Sequence, residues 1–152
     1  MKKILSFCLV LMLAATTVGA EPVIGGKDKP EFLYVMSAMS GSFDGKTLTL
    51  KGVPLVIYFS DRPDRIAGHM SLKKFVAQWG KGPDSFKTDP PNATLSVFNE
   101  KGNKDVVLEL SNLQLKGATL TCKVRVLEGN TTKSFGPASL FIDLYFNQHT
   151  FK

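Results

Sequence analysis

DVVLELSNLQLKGATLTCKVRV, residues 105–126, decides the fold. Val106, Leu108 and Leu110 recur at every second position. Lys116-Gly117 interrupts the run, and Leu120, Cys122, Val124 and Val126 then alternate with Thr121, Lys123 and Arg125. Successive side chains of a strand point to opposite faces of a sheet, so each half buries one face and wets the other. Two alternating runs joined by a glycine turn form an antiparallel pair. The same period recurs in both directions from this stretch. Leu48 and Leu50 alternate with Thr47 and Thr49, and Leu140, Ile142, Leu144 and Phe146 share a face of ASLFIDLYF. Asp44-Gly45, residues 99–103 and residues 128–130 carry turn chemistry between the runs. PLVIYF, residues 54–59, is apolar throughout and reads as a central strand covered on both faces. Short strands at intervals of about ten residues predict a mainly β fold, an antiparallel β-sandwich of about seven or eight strands.

One segment has a different period. In SLKKFVAQWG, residues 71–80, Leu72, Phe75, Val76 and Trp79 fall on one helical stripe. Ser71 suits an N-cap and Gly80 a stop, which predicts a short helix over 71–79. Beyond it, KGPDSFKTDPPN has three prolines and no periodicity. The connection from residue 59 to 92 is therefore long for a sandwich, and connections of that length are uncommon without a function.

Its first part, SDRPDRIAGH, concentrates two acids, two arginines and a histidine in residues 60–69. Asp61 and Asp64 can accept bonds from nearby amides, Pro63 stops a strand or helix, and Gly68 permits a positive φ. Asp61, Pro63, Asp64 and Gly68 are accordingly expected to build a turn, with Asp61 fixing it at Arg62-Pro63. Arg62, Arg65 and His69 are the candidate ligand contacts, because guanidinium groups match carboxylate and phosphate. Trp79 joins them as a stacking surface, against the alternative that it packs the helix on the sheet. A catalytic reading would pair Asp61 or Asp64 with His69.

Other chemistries find little support. The chain has two histidines, His69 and His149, and no HxH, HExxH or CxxC spacing, so no metal site is expected. It has no GxSxG elbow and no phosphate-binding glycine loop, and no cofactor or catalytic residue is assigned. Lysines are scattered without a run of five like charges, which does not make a nucleic-acid footprint. Cys122 lies on the apolar face of its strand and reads as a buried thiol.

The N-terminus reads as a secretory signal peptide. Lys2 and Lys3 precede an apolar run from Ile4 to Ala15, and Val18-Gly19-Ala20 places small residues at a cleavage site. Residues 1–20 are the expected leader, and residues 21–152 one β-sandwich domain with no later transmembrane segment. Of 19 Lys and Arg, removal of Lys2 and Lys3 leaves 17 against 13 Asp and Glu, a modest positive excess. The leader also takes Cys8, so the mature chain holds one cysteine and no internal disulfide.

YFSDRPDRIAGH, the helix through Trp79, and SFKTDPPNATLSV together resemble a group of small exported bacterial proteins. They share a YFSDRP strand end, a short helix with a tryptophan and a DPPN loop. The resemblance spans residues 57–98 and implies an exported single domain, with no activity attached. The sequence thus predicts a periplasmic or secreted binding or accessory module, whose surface is the 59–92 crossover. Its partner would be an anionic or sugar-like ligand, or an envelope protein. A small hydrolase using Asp61 or Asp64 with His69, and a structural envelope-assembly protein, are the alternatives.

Overall fold

A computed structural model describes residues 31–83, 85–100 and 102–143. The leader, the expected mature start at Glu21, residues 144–146 of the last alternating run and His149 lie outside the described residues. The chain is mainly β. Ten strands form one antiparallel sheet: β1 (Phe32–Ala38), β2 (Ser40–Phe43), β3 (Thr47–Lys51), β4 (Val56–Ser60), β5 (Ala67–Met70), β6 (Asn92–Val97), β7 (Lys104–Lys116), β8 (Thr119–Gly129), β9 (Ser134–Phe135) and β10 (Ala138–Asp143). Among the described residues one helix, α1 (Leu72–Gln78), follows β5. Across the sheet the order is β5-β4-β1-β10-β6-β7-β8-β3-β2-β9, so β5 and β9 are its ends.

Hydrogen bonding runs unbroken through all ten strands, so the sandwich is realised as one sheet bent over itself. Ten strands spaced ~4.8 Å apart span about 45 Å. A seven-residue helix is only about 10 Å long and cannot cover that width. Yet a single core cluster takes residues from every strand, including Tyr34, Leu48, Leu95, Leu108, Leu120 and Ile142. The sheet must therefore curl, with its inner face packed on itself and α1 filling part of the opening. Three of the ten strands are short: SGSF, AGHM and SF are too brief to display alternation.

Residues 105–126 form the expected pair β7–β8, with a two-residue turn at Gly117-Ala118 and Gly117 at φ 60°. The register shifts between Ser111 and Gln114, where Asn112 takes φ 50°. This bulge changes which face odd residues meet, so Leu113 and Leu115 pack against the core alongside Val106, Leu108 and Leu110. Asp44-Gly45 closes the β2–β3 hairpin. The Asp44 carboxylate accepts the amides of Lys46 at 2.8 Å and Thr47 at 2.7 Å.

PLVIYF departs from expectation. β4 lies one strand from the sheet end, between β1 and β5. Val56 is buried on the inner face, whereas Ile57 and Phe59 point outward and are 47% and 39% exposed. Its two-sided apolar character does not reflect burial on both sides.

Candidate functional site

The expected strand-to-helix loop at residues 60–69 is a hairpin. β4 and β5 pair antiparallel, with Ile57 opposite His69, Tyr58 opposite Gly68 and Phe59 opposite Ala67. Ser60 closes the tip twice: its amide donates to the Ile66 carbonyl at 2.8 Å, and its hydroxyl accepts the Ile66 amide at 2.9 Å. Within the tip, the Arg65 amide donates to the Asp61 carbonyl at 3.1 Å. The Arg62 amide donates to the Asp61 carboxylate at 2.6 Å. Arg62-Pro63 is a cis peptide. Asp61 and Pro63 thus sit inside the turn, while among the described residues no hydrogen bond reaches the Asp64 carboxylate.

Gly68 plays a different part from the one expected. The positive φ of the tip belongs to Arg65, at 50°. Gly68 lies within β5, and a Cβ there would stand 2.5 Å from the Tyr58 hydroxyl and 2.7 Å from its ring. The residue is small because the Tyr58 ring lies across the strand pair at that point.

The tip presents cations. Arg62 and Arg65 are exposed, and among the described residues neither guanidinium pairs with a carboxylate. The expected pairing with Asp61 or Asp64 is not formed. His69 is exposed on β5, whose outer edge pairs with no strand among the described residues. It lies four positions along the hairpin from Asp61, a separation of about 13 Å in strand geometry. The acid–base pair of a hydrolase needs hydrogen-bond reach, and these groups do not converge. No group of three His, Cys, Asp or Glu among the described residues is placed to hold a metal.

Trp79 is not part of this surface. It is 5% exposed and caps the C-terminus of α1, with its ring 5.8 Å from Phe75 and 4.8 Å from Phe86. Tyr34 completes the cluster, 5.1 Å from Phe75 and 5.9 Å from Phe86. Helical spacing placed Trp79 on the apolar stripe of α1, and that stripe faces the sheet. The proline-rich segment serves the same end. Phe86 is buried, and the Ser85 carbonyl accepts the amides of Thr88 at 2.8 Å and Asp89 at 2.9 Å. The crossover from α1 to β6 therefore covers part of the core with Ser85, Phe86 and Pro91, while residues 80–83 and 87–89 stay exposed.

Cys122 is buried, and desolvation pushes its thiol up to about 12. A shallow depression of about 140 Å³ lies elsewhere, lined by Ser42, Phe43, Asp44, Thr47, Thr49 and Lys133. Its one carboxylate, Asp44, already serves the turn, and the Lys46 and Thr47 amides hold it below the usual carboxylate range. Among the described residues no helix is long and apolar enough to cross a membrane. Comparison with protein-family models, curated proteins and solved structures finds no match to this chain.

Proposed function

We propose that the protein is an exported binding or accessory module that contacts an anionic partner through the β4–β5 hairpin tip. The observation that carries this reading is a pair of exposed arginines, Arg62 and Arg65, unpaired with any described carboxylate on a turn closed by two hydrogen bonds between Ser60 and Ile66. A guanidinium held out from an ordered turn forms two parallel bonds to a carboxylate or phosphate with little reorganisation. His69 extends the surface along the edge strand. Export to the periplasm or medium is supported by the leader-like residues 1–20 and by the resemblance of residues 57–98 to small exported bacterial proteins.

The outer edge of β5, unpaired among the described residues, favours one further reading, an envelope-assembly protein that receives a partner strand there. The two are separated by thermal-shift titration of the mature chain with citrate, pyrophosphate and anionic cell-wall fragments. Anion recognition gives a rise in melting temperature that Arg62→Ala/Arg65→Ala removes. An unaltered rise in the double variant places the site elsewhere, and no rise with any anion removes the anion reading.

A further inference from the structure

Lysines scattered along the sequence meet on the outer face of β2, β3, β8 and the end of β7. Lys51 lies opposite Ser40 on one side and Thr119 on the other, and Thr119 lies opposite Lys116. Lys123 lies opposite Thr47, and its ammonium donates to the Thr47 hydroxyl at 3.1 Å. The Lys46 carbonyl accepts the Val124 amide and the Lys133 carbonyl accepts the Phe43 amide, both at 2.9 Å, which ties these two lysines to the same corner. All five are exposed, and none forms an ion pair with a described carboxylate. In residues 40–51, 109–125 and 133–135 the acids are Asp44, whose carboxylate holds the Lys46 and Thr47 amides, and Glu109, which Arg125 holds. Five lysines and Arg125 against two acids leave an excess of four positive charges, equal to that of the whole chain from Glu21. The rest of that chain is therefore balanced, and its net charge resides here. Between the lysines stand Ser40, Ser42, Thr49, Thr119 and Thr121, half-buried, with no hydrogen bond to their hydroxyls among the described residues.

We infer that this face binds an acidic polysaccharide, a chain of sugar rings bearing repeated anionic groups. Charge complementarity sets the sign of the partner, and spacing sets its form. Lys51 and Lys116 are two strands apart, about 10 Å between Cα atoms, and Lys123 stands four residues along from the Lys51 row, about 13 Å. The screening length at physiological ionic strength is about 8 Å. A small anion thus meets one ammonium at a time, whereas a chain with repeated charges engages several and gains by their linkage. Duplex nucleic acid carries a charge about every 1.7 Å of its axis, far denser than these lysines. A bilayer would be held by an apolar cluster among the cations, and the exposed Met39 and Val126 stand singly at the borders of this face. The uncommitted hydroxyls both donate and accept, as the hydroxyls of a sugar ring do. The depression beside Ser42, Thr49 and Lys133 lies within the face and offers one ring a recess. The hairpin tip is at the far end of the strand order, and the inference does not rest on its reading.

Calorimetric titration of the chain from Glu21 with polygalacturonate tests it. The expected result is binding that weakens as salt rises. Lys51→Gln/Lys116→Gln/Lys123→Gln should weaken it about tenfold or more at an unchanged melting temperature. Lys116→Glu stands in if the triple variant does not fold. Thr49→Val/Thr121→Val should weaken it about fivefold while leaving any binding of polyglutamate, an anionic chain without sugar hydroxyls, as it is in the wild type. Lys73→Gln, exposed on α1, should have no effect. Absence of polygalacturonate binding overturns the inference. So does an affinity that the lysine variants or Thr49→Val/Thr121→Val leave unchanged. Polyglutamate, duplex DNA or phosphatidylglycerol vesicles bound as tightly as polygalacturonate overturn it too, since the face would then read charge alone.

Discussion

Asp61 follows the apolar run of β4 at the point where the strand must turn. Its carboxylate accepts the Arg62 amide, and its carbonyl accepts the Arg65 amide, so both of its acceptors act within the tip. An exposed bond of this kind contributes on the order of 1 kcal/mol. Asp61→Ala should lower stability by about that amount, and Asp61→Asn, which keeps an acceptor, by less. Urea denaturation measures both. A variant that loses anion binding at unchanged stability would move Asp61 from the turn to the contact surface. Gly68 shows how a residue's role can be set from outside its own backbone. The glycine suggests conformational freedom, but what demands it is the Tyr58 ring 2.7 Å from a Cβ at that position.

α1 has seven residues, too few to persist alone in water, so it is held by what it buries. The Ser71 hydroxyl caps its start through the Lys74 amide at 3.2 Å, and Leu72, Phe75 and the C-cap Trp79 anchor it. Trp79→Ala should cost about 3–5 kcal/mol, the usual range for removing a buried aromatic ring. Trp79→Phe should cost clearly less, because the buried indole nitrogen has no hydrogen-bond partner among the described residues. Thermal melts of the two variants check the order. The β2–β3 hairpin carries a pH dependence instead. Asp44 has its pKa lowered in the folded chain, first by the Lys46 amide and then by the Thr47 amide. A lowered folded-state pKa means that the contribution is present in full above the unfolded value of 3.8 and is lost as pH falls through the folded one. Acid titration of stability should therefore flatten below about pH 4 in Asp44→Asn relative to wild type.

For the whole molecule, cohesion comes from one core shared by ten strands and a helix. Cys122 reports on it. The thiol is 2% exposed and its pKa is pushed up to about 12 by burial, so the native protein holds it protonated and covered. In the chain from Glu21, a thiol reagent at pH 8 should label less than about a tenth of the protein until denaturant unfolds the sheet. Labelling should then follow the loss of the circular dichroism signal. Rapid labelling under native conditions would show that β8 separates from β3 without global unfolding, since the thiol faces the Leu48 carbonyl across that strand pair.

The sequence by itself determined the mainly β, antiparallel character of the chain, the hairpins at Asp44-Gly45 and Lys116-Gly117, and the helix capped by Ser71. Period, turn chemistry and capping are local properties and are written in neighbouring residues. The register break between Ser111 and Gln114 was not read from the sequence, because only pairing with β8 shows it to be a bulge. Three things depended on tertiary structure. Trp79 became core because the face opposite α1 was the inner sheet. AGHM forms the edge strand β5 by pairing with β4, where Gly68 leaves room for the Tyr58 ring, and four residues are too few to display a period. Ile57 and Phe59, part of an unbroken apolar run, alternate with Val56 and Tyr58 and so lie on the outer face, which is exposed at β4. Strand order decides which apolar face is covered, and it arises from contacts between residues far apart in the chain.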